Sequence, residues 1–459
     1  MSSVVTGAER RTIPTAPGHR IFGLGREFQK DPLGTMLGLF RTYGDAVRFP
    51  FFLKKYVYFL SHPAHVKHIF LDNAANYTKS PHPAFLLLSH VMGNGLITSD
   101  GEVWERQRRL LQPLFQGHRI GAYGAVMTEA TIAMRERWAR LPADQPINLD
   151  REMMDLTLEI VGRAMFGADL TGEAKEVGKA FNAVSEEFAA LMGNPLAGLA
   201  IRLPFLPSIR RFNANIERLD NVVRRIIGER RSSPRDIQDL LMTLIAAQEE
   251  GSGVAMDDRQ LRDEVITLLL AGHETTADSL TWTFYLLSEH REARERLETE
   301  IDDVVGDATP RLEHLPNLPF TLAVVREAMR LYPPIYLNAR WCNEADVVGG
   351  YHIPANSMIT LSPFVIHRHP EFWADPDQFR PERFARRDAD AERHAYLPFG
   401  AGPRRCLGVH FAMMEAQLVL ATIVQRYRLE LVPGWCVESG PIMTLRPAGG
   451  MPMNLFRRM

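Results

Sequence analysis

One cysteine lies in a loop suited to hold a metal as a thiolate. The segment FGAGPRRCLG places Cys406 after a turn rich in glycine and proline and before a run with helical periodicity. Free N–H groups and the dipole at a helix N-terminus favour an anion there. The same residue could instead be an ordinary buried cysteine. A zinc site ranks last, because no His/Cys cluster with structural-zinc spacing accompanies it.

A second unusual segment, LLLAGHETT, lies in an otherwise apolar stretch that is predicted to form a long helix. Its glycine and polar residues lower helix stability, so their presence in the middle of a helix suggests a functional role. The Thr275 hydroxyl can bond to the carbonyl of Ala271, four residues earlier, and leave a slot for water or dioxygen. Taken alone, the segment is equally compatible with a Glu274 that points to solvent and threonines that only bond to their own helix.

The ordered residues Phe399, Gly402, Arg404, Cys406 and Gly408 match the pattern F-x-x-G-x-R-x-C-x-G. The chain here resembles the cytochromes P450. This resemblance implies the P450 fold and a haem b with Cys406 as the ligand of its iron. A cysteinate in that position favours cleavage of the O–O bond of dioxygen.

The helical segment is similar to the oxygen-binding motif A/G-G-x-D/E-T-T of the same family. The resemblance therefore implies catalytic roles for Ala271, Gly272, Glu274 and Thr275. Glu274 and Thr275 would relay protons to dioxygen, and Gly272 would make room for it. The implied reaction uses two electrons and two protons to insert one atom of O2 into an organic substrate by hydroxylation or epoxidation.

Two further family elements accompany these motifs. Glu327 and Arg330 match E-x-x-R, and Arg383 in FRPERF matches the third member of a structural triad that supports the cysteine loop. Haem propionates need cationic partners, and arginine suits carboxylates. The cofactor-binding residues implied by the resemblance are Lys79, Trp104, Arg108, Arg340, Phe399, Gly400, Gly402, Arg404, Cys406, Leu407, Gly408 and Ala412.

The segments that correspond to P450 substrate pockets are nearly all apolar, which favours a hydrophobic substrate such as a terpenoid, fatty acid or steroid. Their representative residues are Phe85, Leu96, Leu268, Ile335, Leu337, Ile442 and Met443.

Composition limits the other possibilities. The net charge of −2 argues neither for binding of nucleic acid nor for binding of an anionic membrane surface, so any electrostatic docking must be local. Three cysteines are too few for a disulfide framework, and the N-terminus has no apolar stretch of signal or anchor length. We expect a cytoplasmic, bacterial-type monomer without a membrane anchor. We also expect a single haem domain over residues 1–459 with no fused reductase, served by a separate ferredoxin or flavodoxin and its reductase.

The elements that must position these residues are mostly helical. Proline after Asp31 predicts a helix over residues 32–43, and helical periodicity covers residues 103–115, 260–305 with a break near His290, and 320–331. Strand patterns are confined to residues 46–49, 56–60, 346–353, 358–361, 442–445 and 453–456. The predicted fold class is mainly α with a small β region.

Two other functions remain possible. A P450 that uses peroxide or rearranges lipids without an electron donor typically departs from the acid-threonine pair, which this chain keeps. A haem-thiolate sensor without turnover would need an output module, and none is recognisable in the sequence.

Overall fold

The computed structural model describes residues 11–20, 22–52, 55–116, 120–142, 144–168, 174–192, 201, 203, 205–232, 240–249, 256–384 and 394–458. The first ten residues of the predicted anchor-free N-terminus thus lie outside the described part. The helices are α1 (Gly25–Lys30), α2 (Pro32–Tyr43), α3 (Pro63–Lys67), α4 (Pro83–Met92), α5 (Gly101–Leu111), α6 (Gly124–Trp138), α7 (Leu149–Phe166), α8 (Ala174–Met192), α9 (Pro207–Ser232), α10 (Leu240–Glu249), α11 (Asp258–Glu289), α12 (Arg291–Val304), α13 (Pro319–Leu331), α14 (Pro363–Ile366) and α15 (Val409–Val424).

The strands are β1 (Ala46–Phe52), β2 (Lys55–Leu60), β3 (Tyr77–Thr78), β4 (Ile147–Asn148), β5 (Asn338–Cys342), β6 (Asp346–Val348), β7 (Tyr351–Ile353), β8 (Ser357–Leu361), β9 (Tyr427–Leu431), β10 (Glu438–Pro441), β11 (Leu445–Ala448) and β12 (Pro452–Arg457). The prediction of a mainly helical chain with a small β region is confirmed. No helix in the ranges given above combines the length and the apolar composition that crossing a bilayer requires.

The predicted helix ends agree with local chemistry. The carboxylate of Asp31 accepts a hydrogen bond from the Gly34 amide at 2.8 Å and so caps α2. The expected break near His290 separates α11 from α12 at that residue, whose amide bonds back to the Leu286 carbonyl.

The strand expected over residues 442–445 is absent apart from its last residue. Residues 442–444 connect β10 to β11, and Leu445 begins β11; the two strands pair antiparallel from Pro441 with Leu445 to Glu438 with Ala448. The apolar run was read as a buried strand, but its side chains Ile442 and Met443 face the central cavity instead. A short apolar run does not distinguish these two situations.

Helix α11 runs through the core, where it packs against α7, α13 and α15. Most of its positions are buried, including the polar segment that contains Glu274. A five-stranded sheet in the order β1-β2-β8-β5-β3 lies beside this helical core. Antiparallel pairing of Thr78 with Trp341 brings the following residue, Lys79, next to Arg340. The sheet thus places two cations of the predicted cofactor pocket side by side.

Candidate active site

A large internal cavity of about 1180 Å³ is bordered by α4, α5, α8 and α11, the cysteine loop and the β10–β11 connection. Every predicted substrate-pocket residue lines it, namely Phe85, Leu96, Leu268, Ile335, Leu337, Ile442 and Met443. Most of the predicted cofactor-binding residues also border it, and so do Ala271, Gly272, Glu274 and Thr275. The fold therefore brings the two sequence motifs to one space.

The Cys406 side chain borders this cavity. Its exposed surface therefore faces the cavity, although protein surrounds the cysteine loop. Its amide bonds to the Phe399 carbonyl at 3.0 Å, which closes the loop. The helix predicted to start at the cysteine begins three residues later, at Val409, and the Gly408 amide faces the sulfur. Burial raises the pKa of the Cys406 thiol, while that amide and the charge of Arg108 lower it.

Gly402 has a different position from the one implied by the family pattern. It does not border the cavity but lies against the backbone at Phe70, where a Cβ would come within 1.8 Å of the carbonyl oxygen. Its φ of 69° also falls in the left-handed region that favours glycine. Gly402 therefore allows the cysteine loop to approach a neighbouring segment.

Buried cations gather at one part of the cavity. Lys79 donates to the Ile97 carbonyl, Arg340 donates to the Ala339 carbonyl at 2.7 Å, and Arg404 pairs with Asp100. In the described part of the chain, Asp100 is the carboxylate that offsets them. Burial and the neighbouring guanidinium groups lower the pKa of Lys79 well below its usual range and that of Arg340 to about 10.

This excess of buried positive charge needs anionic partners. The two propionates of a haem would supply them, so the residues present fit that cofactor. Trp104 lies under Arg404, whose guanidinium carbon is 4.2 Å from the ring centroid. Arg108 donates to the Arg405 carbonyl at 2.6 Å and thereby connects α5 to the cysteine loop.

The polar segment of α11 forms the predicted internal bond, because Thr275 donates to the Ala271 carbonyl at 2.9 Å. The helix continues without interruption through this segment. A Cβ on Gly272 would lie 3.0 Å from a Val161 methyl group, so the missing side chain serves the contact between α7 and α11. Glu274 does not point to solvent: it is 3% exposed, and burial raises its pKa to about 7.

The predicted triad is assembled in the core. Both oxygens of Glu327 accept from Arg330, at 2.7 and 2.8 Å, and one also accepts from Arg383 at 3.2 Å. Arg330 donates in addition to the carbonyls of His367, Pro376 and Gln378. The triad thus fixes the segment that precedes the cysteine loop.

Sequence reasoning missed two polar residues of the site. Asp100 pairs with Arg404 and also accepts from the Lys79 and Ser80 amides. The His82 ring borders the cavity and accepts from the Ala84 amide through Nδ1, which leaves an Nε2–H donor without a partner among the described residues. The sequence signal for His82 was weak, because the proline that follows it marks a helix start and gives no indication that the histidine ring borders a cavity.

A mainly helical fold, a cysteine in the wall of a large apolar cavity and buried cations beside it define the class of haem-thiolate proteins. The family model for cytochrome P450 matches residues 13–449. The chain belongs to the cytochrome P450 family, and it is a P450 monooxygenase with a haem-thiolate cofactor.

Relatives with assigned activities include three from Streptomyces. Cyclooctatin synthase of Streptomyces melanosporofaciens is 38% identical over 85% of this chain and 84% of that protein. Cyclooctat-9-en-7-ol 5-monooxygenase of the same organism is 34% identical over 92% of this chain and 91% of its own length. Pentalenene oxygenase of Streptomyces avermitilis is 33% identical, with 80% and 81% covered.

Proposed function

We propose that this chain is a haem b monooxygenase that hydroxylates or epoxidises a cyclic terpenoid, and that Cys406 would hold the haem iron. One observation carries the proposal: the Cys406 thiol, the Thr275 hydroxyl and the Glu274 carboxyl border one apolar cavity. When bound, the haem supplies dioxygen activation and the redox chemistry. The remaining steps belong to the protein.

The side chains around the cofactor pocket divide these tasks. Arg340 and Arg404 would bind the propionates and orient the ring, and the Gly408 amide stabilises negative charge on the Cys406 sulfur. At the other motif, the Thr275 hydroxyl and the Glu274 carboxyl hold and pass protons. A carboxyl with a pKa near 7 both gives and accepts a proton at neutral pH.

The cavity and the relatives both support the proposed substrate class. The walls carry phenylalanine, leucine, isoleucine and methionine side chains, which favour a bulky apolar molecule. The names of two relatives designate oxidation of pentalenene and of cyclooctat-9-en-7-ol. A fatty acid is less favoured, because its carboxylate would need a cation outside the propionate group.

The test is a spin-state titration of the purified ferric protein with a panel of cyclic terpene hydrocarbons, terpene alcohols, fatty acids and steroids. We expect cyclic terpenes to displace water and shift the Soret band, and turnover with a surrogate ferredoxin system to give products heavier by one oxygen atom. A shift with fatty acids alone would contradict the proposed class. Turnover with peroxide and none with the ferredoxin system would favour the peroxide-using alternative.

Electrons are proposed to arrive from a separate acidic ferredoxin or flavodoxin at the face next to the cysteine loop. Arg405, Arg106 and Arg109 are exposed there, and the Arg108 bond to the Arg405 carbonyl holds α5 against the loop.

The three unpaired thiols fit the reducing cytoplasm.

Substitution of Arg405 and Arg109 by Glu is expected to slow reduction by a surrogate ferredoxin about tenfold or more at low salt, because charge attraction steers association. Stopped-flow reduction measured at low and high salt checks this. The difference from wild type should shrink at high salt, while reduction by dithionite stays unchanged. A wild-type rate at low salt would place docking elsewhere.

A further inference from the structure

A group of carboxyls lies around Glu274 where α11, α7 and β11 meet. Asp278 follows Glu274 by four residues on α11, so the two share one face of the helix. Asp150 from the start of α7 faces the same point, as do Thr444 before β11 and Arg446 within it. We call these five residues the acid cluster.

Neighbouring hydrogen bonds fix the three elements that carry the acid cluster. The Trp282 indole donates to the Leu445 carbonyl at 2.8 Å and holds β11 against α11. The Thr157 hydroxyl donates to the His273 carbonyl at 2.9 Å and holds α7 against the same helix. The cluster is therefore a built part of the core.

The acid cluster extends from the surface to the cavity. Asp278 is 0% exposed and Glu274 is 3% exposed, whereas Asp150 and Arg446 are half-buried. Arg446 reaches the exposed Asn182 on α8, whose side-chain oxygen accepts at 2.6 Å. At the inner end, Glu274 and Thr444 both border the cavity. Polar groups thus connect solvent to the residue beside Thr275.

Charge in the acid cluster is unbalanced, because three carboxyls face one guanidinium. Neither oxygen of Asp278 makes a hydrogen bond of ordinary geometry to another described residue, and neither does Oδ1 of Asp150. The Thr444 hydroxyl lowers the pKa of both Asp278 and Glu274, although less than burial raises them. An ionised carboxylate so placed is costly, so the cluster retains protons at neutral pH.

The pKa directions agree with this geometry. Burial, reinforced by the charges of Glu274 and Asp150, raises the pKa of Asp278 well above its usual range. Burial raises the pKa of Asp150 to about 6, against the attraction of Arg446. The other buried carboxyl near this part of α11, Glu415 on α15, faces Thr276 and not the cluster.

We propose that Asp278 and Asp150 extend the Glu274–Thr275 pair into a proton-entry path that opens beside Arg446. The proposal rests on the monooxygenase function proposed above. Each turnover takes up one substrate molecule, one O2, two protons and two electrons from the redox partner, and it releases the oxygenated product and one water. A proton that leaves the Glu274 carboxyl is replaced by one from Asp278. Asp278 then takes up a proton from solvent by way of Asp150. Water molecules complete the path, as buried polar groups without protein partners require.

The variant Asp278→Asn removes the most buried proton carrier and keeps its shape. Infrared titration of the protein, without substrate or redox partner, should show the loss of about one protonated carboxyl at neutral pH, because Asp278 is protonated there. Asp155→Asn is the matched control, since Asp155 is a half-buried carboxyl on α7 outside the acid cluster, 3.9 Å from Arg151. An unchanged carboxyl band in Asp278→Asn would overturn the proposal.

Turnover gives the second readout, with the surrogate ferredoxin system and the terpene of the panel that produces the largest spin-state shift. Asp278→Asn should lower product per electron pair about threefold at alkaline pH and less at acidic pH, where solvent supplies protons readily. Asp278→Glu should restore coupling, and Asp150→Asn should reproduce the defect if the path opens there. A wild-type pH profile in both Asn variants, together with a normal haem-thiolate spectrum, would overturn the path and leave the monooxygenase assignment intact. Absence of that spectrum in the wild-type protein would instead remove the proposed function.

Discussion

Thr275→Ala is expected to retain haem and substrate binding while it sends most of the consumed electrons to hydrogen peroxide. The hydroxyl that bonds to the Ala271 carbonyl is next to Glu274 in the chain and lies on the cavity wall. Without it, the proton held by the Glu274 carboxyl lacks the neighbouring hydroxyl that passes it on, so more of the reduced dioxygen would be released as hydrogen peroxide. Loss of a positioned proton donor typically costs about 10²-fold or more in rate, so product formation should fall by at least about tenfold.

The measurement compares three quantities: reduced cofactor consumed, peroxide released and oxygenated product formed. Thr275→Ser is the matched variant, because it keeps a hydroxyl on the same backbone, and it should retain most of the coupling. If Thr275→Ala forms as much product per electron pair as the wild type, the proton-relay role of this threonine is refuted.

Glu327→Gln is expected to have the largest effect on stability. Glu327 accepts from Arg330, from Arg383 and from the Arg380 amide, and both members of its pair with Arg330 are 0% exposed. Removal of one charge from a buried pair leaves the other charge buried without a partner, which lowers the free energy of unfolding by about 3–5 kcal/mol. Since the triad holds the segment before the cysteine loop, the variant should also lose haem.

Thermal unfolding and the haem content per protein measure this together. Glu295→Gln serves as the control, because Glu295 forms an exposed pair with Arg291 on α12 that contributes at most about 1 kcal/mol. A Glu327→Gln protein with wild-type haem content and unfolding temperature would show that the triad does not support the loop.

Residues whose chemistry limits the choice of amino acid could be predicted from the sequence. A thiolate needs cysteine and a rigid glycine-containing turn, so Cys406 was visible in one segment. A hydroxyl that bonds one turn back on an apolar helix needs threonine or serine, which made Thr275 visible. The cavity confirms that these distant segments meet, which neither pattern could show alone.

Residues that act through tertiary position could not be predicted. The carboxylate of Asp100 is important because folding brings Arg404 to it, 304 positions along the chain. Asp278 looks like an ordinary polar residue in the helix until Asp150 and Arg446 are seen to face it. The run over residues 442–445 was misassigned for a related reason, since an apolar side chain that lines a cavity resembles one that packs inside a sheet.

The central claim is that Cys406 binds the haem iron as a thiolate, and the spectrum of the dithionite-reduced protein under carbon monoxide tests it most directly. The wild-type protein should give the long-wavelength Soret band that a thiolate ligand produces, and Cys406→Ala should lose it. A wild-type protein that binds haem but lacks this band, or a Cys406→Ala protein that keeps it, would contradict the assignment.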